Sequence, residues 1–87
     1  MITVVPGGPT RQESVWLALQ AAPVVVDIVL VHDAVRPFIT RALIDAVVDA
    51  ARRGGAAICA LPIVETVKRV RGDEVEATVD RAGLWTA

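Results

Sequence analysis

Asp33 and Arg36 are the two side chains of this sequence whose types and spacing best suit chemistry. They follow an apolar, β-branched run at residues 28–31 and precede Pro37. Open α/β sheets bind ligands at the carboxyl ends of their strands, where such a pair would lie. A carboxylate is a hard ligand for a cation, and a guanidinium donates two hydrogen bonds to a phosphate. The pattern predicts a site for a metal ion and an anionic substrate, with a structural Asp33–Arg36 ion pair as the alternative.

A second candidate site is the turn at Gly7 and Gly8, which precedes a helix capped by Thr10. The free backbone N–H groups at the positive end of a helix can hold a phosphate or the edge of a base. Arg11 and Ser14 lie in the first turns of that helix, on the side of this terminus. The alternative is an ordinary turn between a strand and a helix.

Two further residues have structural interpretations. His32 is the single histidine, and we expect it to be a hydrogen-bonded part of the scaffold. Cys59 is the single cysteine and stands among apolar neighbours, so we expect a buried, unreactive side chain. One cysteine allows no intrachain disulfide, which fits a reducing cytosol and predicts a cytoplasmic protein. The sequence has no metal-spaced Cys/His cluster and no GxGxxG phosphate loop.

The elements that position these residues follow from caps, apolar periodicity and turn residues. Thr10 with Glu13 fits a capping box, and Gly54 and Gly55 fit the end of a second helix. We predict strands at residues 2–5, 25–31 and 56–61, and helices at residues 11–22 and 41–53. This β-α-β-α-β order predicts an α/β fold with a parallel sheet. Residues 1–61 would form this α/β core.

The chain changes character after Pro62, where two alternating segments at residues 63–71 and 75–79 flank a turn at Gly72. This pattern predicts a β-hairpin arm at residues 62–81. Its polar residues are Thr66, Lys68, Arg69 and Arg71, and they are typical of a solvated face. Because a two-stranded ribbon alone is marginally stable, we expect a partner subunit to cover it.

Composition narrows the classes of function. The 87 residues are 54% hydrophobic, which fits one small packed domain, and the net charge of −1 favours neither nucleic acid nor an anionic membrane as a partner. Asp27 and His32–Asp33 interrupt the longest apolar run, so we expect no membrane span. The N-terminal residues do not have the pattern of a signal peptide.

Several motifs occur in one order along the chain: Gly7-Gly8 with Arg11 and Ser14-Val15, VHDAVRP at residues 31–37, Thr66-Val67-Lys68, TVDR at residues 78–81, and Leu84-Trp85. This set resembles the 2-C-methyl-D-erythritol 4-phosphate cytidylyltransferases of the non-mevalonate isoprenoid pathway, over nearly all 87 residues. The resemblance implies that these residues are the central part of a nucleotidyltransferase domain and form part of its Rossmann-like sheet. It also implies that the hairpin arm joins two copies of the chain in a homodimer.

The resemblance also implies an activity and its residues. CTP and methylerythritol phosphate would react over Mg²⁺ to give CDP-methylerythritol and pyrophosphate. Asp33 would hold Mg²⁺ and help to place both substrates, and Arg81 would orient the attacking phosphate in a neighbouring subunit. The sugar phosphate would be bound by Arg36 and Thr66, and the cytidine pocket would be lined by Gly8, Ser14 and Ala34.

The chain departs from the family pattern in ways that affect these expectations. Pro9 stands where the family often has Asp, and Glu65 replaces another Asp. The family's N-terminal phosphate loop and its C-terminal substrate Lys are not among these residues, so we expect the isolated chain to be inactive. The alternatives are a ribitol 5-phosphate cytidylyltransferase, which shares HDAVRPF, and a non-catalytic dimerisation fragment. A receiver-like signalling module is disfavoured because residues 2–5 carry no acidic pair.

Overall fold

The computed structural model describes residues 2–87. Two helices come first, α1 (Arg11–Ala21) and α2 (Arg41–Gly54), and four short strands follow: β1 (Leu61–Pro62), β2 (Val67–Arg71), β3 (Glu74–Val79) and β4 (Trp85–Thr86). The strands form two antiparallel pairs, β1 with β4 and β2 with β3. The described chain is therefore a small α/β structure, as predicted at the level of fold class.

Helix α1 begins at a complete capping box. The Thr10 side chain accepts a hydrogen bond from the Glu13 backbone N–H at 3.2 Å, and the Glu13 carboxylate accepts one from the Thr10 N–H at 3.1 Å. The helix ends at Ala21, and Pro23 follows two residues later. Both ends lie within one residue of the prediction, because caps are local signals that do not depend on tertiary contacts.

Helix α2 is bounded in the same local way. Thr40 caps its start by accepting a hydrogen bond from the Leu43 N–H at 3.2 Å. Gly55 caps its end with φ at +87°, a left-handed conformation that glycine adopts without steric cost. The Gly55 N–H donates to the Ala51 carbonyl at 2.7 Å. The predicted second helix is confirmed, one residue longer than expected.

Strands β2 and β3 form the predicted hairpin, with Gly72 in the left-handed conformation at its turn (φ +59°). The register pairs Val67 with Val79 at the base, but it shifts between Arg69 and Val70. Arg69 lies opposite Ala77 and Val70 opposite Val75, so Glu76 is an extra residue on β3 and forms a β-bulge. Both faces of the hairpin are largely exposed.

The predicted parallel sheet is not observed. Residues 2–5 and 25–31 lie outside any strand, and of residues 56–61 only Leu61 is in one. That strand, β1, pairs antiparallel with β4, a pairing that the sequence patterns did not indicate. A strand forms only where a neighbouring strand satisfies its backbone N–H and C=O groups. No such neighbour lies beside residues 2–5 or 25–31 within residues 2–87, so these apolar runs stay irregular.

The described residues form no buried core. None of them is buried, and large apolar side chains such as Phe38 (93% exposed) and Trp16 (59%) face solvent. The radius of gyration is 17.7 Å, whereas a compact domain of this length has one of about 12 Å. Cys59 is exposed, so the prediction of a buried thiol is wrong; the buried strand expected to enclose it does not form. In the absence of a core within residues 2–87, local hydrogen bonds hold the helices and the strand pairs together.

None of the helices formed by residues 2–87 has the length and apolarity required to cross a bilayer.

Candidate functional site

The Asp33 carboxylate lies between two guanidinium groups. Its Oδ1 accepts a hydrogen bond from Arg11 Nη2 at 3.0 Å, and its Oδ2 lies 3.7 Å from Arg36 Nε. Only the contact with Arg11 is short enough to be a hydrogen bond. Arg11 is the first residue of α1. Arg36 lies in the same loop as Asp33, three residues after it. The stronger attachment of Asp33 is therefore the long-range one.

These cations stabilise the charged form of Asp33. The hydrogen bond and the charge of Arg11 lower the pKa of the Asp33 carboxyl below its ordinary value of 3.8, and the charge of Arg36 adds to the effect. Desolvation acts in the opposite direction but does not prevail. Asp33 is an anion throughout the neutral pH range, as any carboxyl with an ordinary or lowered pKa is, and a cation ligand must be charged in this way.

The loop that carries Asp33 and Arg36 is closed by two internal hydrogen bonds. The Arg36 backbone N–H donates to the Asp33 carbonyl at 3.0 Å, and His32 Nε2 lies 2.8 Å from the Arg36 carbonyl oxygen. Ala34 occupies the turn between them. The expectation that His32 is a hydrogen-bonded part of the scaffold is confirmed: its ring fixes the backbone that presents Asp33 and Arg36.

The turn before α1 is equally constrained. Ser14 Oγ accepts a hydrogen bond from the Gly8 N–H at 3.0 Å and lies within hydrogen-bond reach of the Gly8 and Thr10 carbonyl oxygens at 3.3 Å and 3.0 Å. A Cβ atom added to Gly8 would lie only 2.7 Å from Glu13 Cβ. Residue 8 must therefore be glycine for the backbone to approach the helix this closely.

The salt bridge between Arg11 and Asp33 joins this turn to the Asp33 loop. It brings Gly8, Ser14, Asp33, Ala34 and Arg36, which the sequence singled out separately, into one cluster. The pairing of Arg11 with Asp33 was not predicted, because 22 residues separate the two in sequence. One weak signal was present: a cation at the first position of a helix is disfavoured by the helix dipole, so an acidic partner for Arg11 is favourable.

The predicted site residues of the hairpin lie apart from this cluster. Thr66 immediately precedes β2 and Arg81 follows β3 by two residues. Arg81 Nη1 donates to the Val64 carbonyl oxygen at 2.5 Å and so closes the base of the hairpin. Within residues 2–87, no hydrogen bond or ion pair links Thr66 or Arg81 to Asp33.

A divalent cation would find one carboxylate at this site. Within the part of the chain that the structure describes, no group of three or more His, Cys, Asp or Glu side chains is placed to enclose a metal. Asp33 Oδ1 is engaged by Arg11, while Oδ2 accepts no hydrogen bond from residues 2–87. Mg²⁺ is commonly held by one or two carboxylates together with substrate phosphates and water. Asp33 therefore offers one oxygen ligand, and the remaining ligands of a magnesium ion would have to come from substrate phosphates and water.

Comparisons with known proteins identify relatives of the chain. The chain is 46% identical over 86 residues to a 2-C-methyl-D-erythritol 4-phosphate cytidylyltransferase of Bacillus licheniformis, a match that covers 99% of this chain and 37% of that protein. It is 49% identical over 89 residues to the enzyme of the same name from Streptomyces avermitilis, covering 93% of this chain and 36% of that protein. It is also 48% identical over 86 residues to a bifunctional enzyme IspD/IspF of Desulfotalea psychrophila, covering 99% of this chain and 22% of that protein.

The chain thus spans between about a fifth and two fifths of the length of these curated relatives. The family model for IspD, 2-C-methyl-D-erythritol 4-phosphate cytidylyltransferase, matches residues 1–87, the whole of the sequence. A match over every residue, including the Gly8 turn and the Asp33 loop, is sufficient for assignment. The chain belongs to the 2-C-methyl-D-erythritol 4-phosphate cytidylyltransferase family.

Proposed function

We propose that these residues form part of an enzyme that transfers the cytidylyl group of CTP to 2-C-methyl-D-erythritol 4-phosphate in isoprenoid biosynthesis. An oxygen of the sugar phosphate attacks the α-phosphorus of CTP, the bond between the α-phosphorus and the bridging oxygen breaks, and pyrophosphate leaves. The observation that carries the proposal is the 3.0 Å contact between Arg11 and Asp33. It joins the two segments that the resemblance assigns to the nucleotide.

Asp33 is proposed to hold Mg²⁺ through its carboxylate. The ion supplies charge neutralisation for the phosphate groups, which a loose phosphoryl-transfer transition state requires more than acid–base catalysis. The nearby guanidinium groups lower the pKa of this carboxyl below its ordinary value. The chain's own contribution is thus a charged oxygen ligand that a hydrogen bond from Arg11 orients.

Gly8, Ser14 and Ala34 are proposed to line the cytidine pocket. The Ser14 hydroxyl holds the Gly8 backbone, so its contribution is to the shape of the pocket as well as to any direct contact with the base. Ala34 lies in the turn immediately after Asp33. A small side chain there leaves room for a ligand against the backbone.

Arg36, Thr66 and Arg81 are proposed to bind the sugar phosphate, with Arg81 acting across a homodimer formed by the hairpin arm at residues 62–81. Arg36 is suited to this role because its guanidinium is only loosely attached to Asp33, at 3.7 Å. Arg81 must exchange its contact with the Val64 carbonyl oxygen for one with the phosphate. The exposed faces of the arm are available for a second copy of the chain.

In the full-length protein, we propose that the apolar segments at residues 2–5, 25–31 and 56–61 pair with further strands in a Rossmann-like sheet. The support is their exposure: Val25 is 89% and Ile58 79% exposed. Burying such side chains stabilises a fold by roughly 25 cal/mol per Å² of apolar surface. Residues 1–61 would then form the α/β core of a cytoplasmic enzyme.

Pyrophosphate release from CTP, Mg²⁺ and methylerythritol phosphate tests this function in the full-length protein. Asp33→Asn should lower kcat/KM by at least about 100-fold, because it removes the charge on the ligand of a metal-assisted reaction. Asp45→Asn is the matched control, since Asp45 is an exposed carboxylate paired with Arg41 at 3.9 Å in α2. Equal activity of the Asp33→Asn variant and the unmodified protein would refute the role of Asp33.

The same assay separates the alternatives. A full-length protein that prefers ribitol 5-phosphate over methylerythritol phosphate is a ribitol 5-phosphate cytidylyltransferase. The 87-residue chain by itself is expected to release no pyrophosphate, because its described residues bury no side chain that would hold the site rigid. Turnover by that chain would contradict this expectation.

A further inference from the structure

We infer that Arg11 is a positioning residue that fixes the Asp33 carboxylate, so that Oδ1 is held by the protein and Oδ2 is left for the cation that accompanies the nucleotide. The inference rests on the proposed function and assigns a role to a residue outside the proposed set of metal, nucleotide and sugar-phosphate contacts.

The two oxygens of Asp33 are in different situations. Arg11 Nη2 donates to Oδ1 at hydrogen-bond distance, 3.0 Å. Oδ2 has only the electrostatic contact with Arg36 Nε at 3.7 Å. An exposed carboxylate without an anchor rotates among several positions, and ordering it on binding costs free energy. Arg11 provides this anchor before the ligand arrives.

The position of Arg11 on a capped helix makes it a better anchor for Asp33 than Arg36. Arg11 stands on the first turn of α1, which the capping box of Thr10 and Glu13 holds in place. Arg36 belongs to the same short loop as Asp33 and so moves with it. If Arg36 turns toward a substrate phosphate, Asp33 keeps its orientation only through Arg11.

The contact also couples two parts of the pocket. The helix turn that begins with Arg11 is bonded to Gly8 through Ser14 Oγ. A continuous set of hydrogen bonds therefore runs from the Asp33 loop to the Gly8 turn. Partners that orient a metal ligand typically change metal affinity or activity by about 10–100-fold when they are removed.

A double-mutant cycle in the full-length protein tests the inference. The measurement is the dissociation constant of CTP with Mn²⁺, by equilibrium dialysis without sugar phosphate, so that no turnover occurs. Asp33→Asn and Arg11→Gln should each weaken binding by about 10-fold or more. In the Asp33→Asn background, Arg11→Gln should add less than about 2-fold, because Arg11 acts only through Asp33.

Arg11→Lys keeps the charge and one donor, so it should recover most of the affinity lost in Arg11→Gln. The control is Arg41→Gln. Arg41 is also the first residue of a helix and is also paired with an aspartate, Asp45, but lies outside the cluster. Its substitution should leave binding unchanged. Circular dichroism of every variant verifies that the helices are intact.

The outcomes separate this inference from the proposed function. If Asp33→Asn weakens binding but Arg11→Gln does not, the metal role of Asp33 stands and the positioning role of Arg11 is overturned. If both weaken binding and their effects multiply in the double variant, Arg11 acts independently of Asp33 and the inference is also overturned. If Asp33→Asn has no effect, the proposed metal site itself fails.

Discussion

Replacing Gly8 with alanine should damage the proposed nucleotide pocket more than the addition of one methyl group suggests. The new Cβ would lie 2.7 Å from Glu13 Cβ and 3.4 Å from the Glu13 carbonyl carbon. These atoms belong to the capped first turn of α1, so they cannot withdraw as the end of a flexible side chain would. The Gly8 turn must move instead, which strains or breaks its 3.0 Å hydrogen bond to Ser14 Oγ.

The expected cost follows from these contacts. Forcing a methyl group against a close neighbour costs about 1–3 kcal/mol, and loss of the hydrogen bond adds about 1 kcal/mol. Where the turn is held in place by bound nucleotide, the strain appears as lost affinity. Since about 1.4 kcal/mol is a factor of ten, the combined cost of about 2–4 kcal/mol should lower the affinity for CTP on the order of 30- to 700-fold.

The assay is equilibrium dialysis of CTP with Mg²⁺, together with the urea midpoint of the full-length protein. Gly54→Ala is the matched control. Gly54 ends α2 with no atom within 4 Å of an added Cβ, so alanine should be neutral or stabilise by about 0.4–1 kcal/mol. A Gly8→Ala variant with unchanged CTP affinity and unchanged urea midpoint would refute the steric argument.

Two further predictions concern the start of α1 and its partner. Thr10→Ala removes the acceptor for the Glu13 N–H and should lower the free energy of unfolding, measured in urea, by about 0.5–2 kcal/mol. Thr10→Ser keeps a hydroxyl and should retain most of this stability. Equal losses of stability in the two variants would contradict the capping role. In a ¹³C NMR titration, Asp33 should titrate below 3.8, and Arg11→Gln should move the midpoint upward. Folding lowers the pKa of Asp33. The ion pair therefore stabilises the folded state fully when the pH is above the pKa that Asp33 has in the unfolded chain. This stabilisation is lost as the pH falls through the pKa of Asp33 in the folded protein.

The parts of the structure that sequence predicted well are those encoded within a few residues. Thr10 with Glu13 and Thr40 with Leu43 set the starts of the helices, and Gly55 sets an end. The hairpin at Gly72 was predicted for the same reason. Each of these features is a contact between residues close in the sequence, so its pattern is complete in a short window.

The parts that failed depend on distant partners. The apolar run at residues 25–31 has the composition of a buried strand, but composition does not supply the neighbouring strand that its backbone needs. Cys59 is exposed for the same reason. The pairing of β1 with β4 joins Leu61 to Thr86, and no local pattern marks it.

The candidate site divides in the same way. The hydrogen bonds of Ser14 with Gly8 and of His32 with Arg36 span six and four residues, and sequence had singled out each of these residues. The contact between Arg11 and Asp33 spans 22 residues, and only the unfavourable position of Arg11 at a helix start pointed to it. The hydrogen bonds within each segment were therefore predictable from sequence, whereas the contact that joins the two segments is visible only in the three-dimensional structure.

The β-bulge at Glu76 has a consequence for how the hairpin meets other molecules. The extra residue interrupts the ladder halfway along and increases the right-handed twist of the ribbon. Arg71, near the tip, pairs with the bulged Glu76 at 2.7 Å, which places charge beside the open edge. A strongly twisted, charged edge is a poor template for another chain to extend edge to edge. The bulge therefore disfavours pairing of this edge with a strand of another chain.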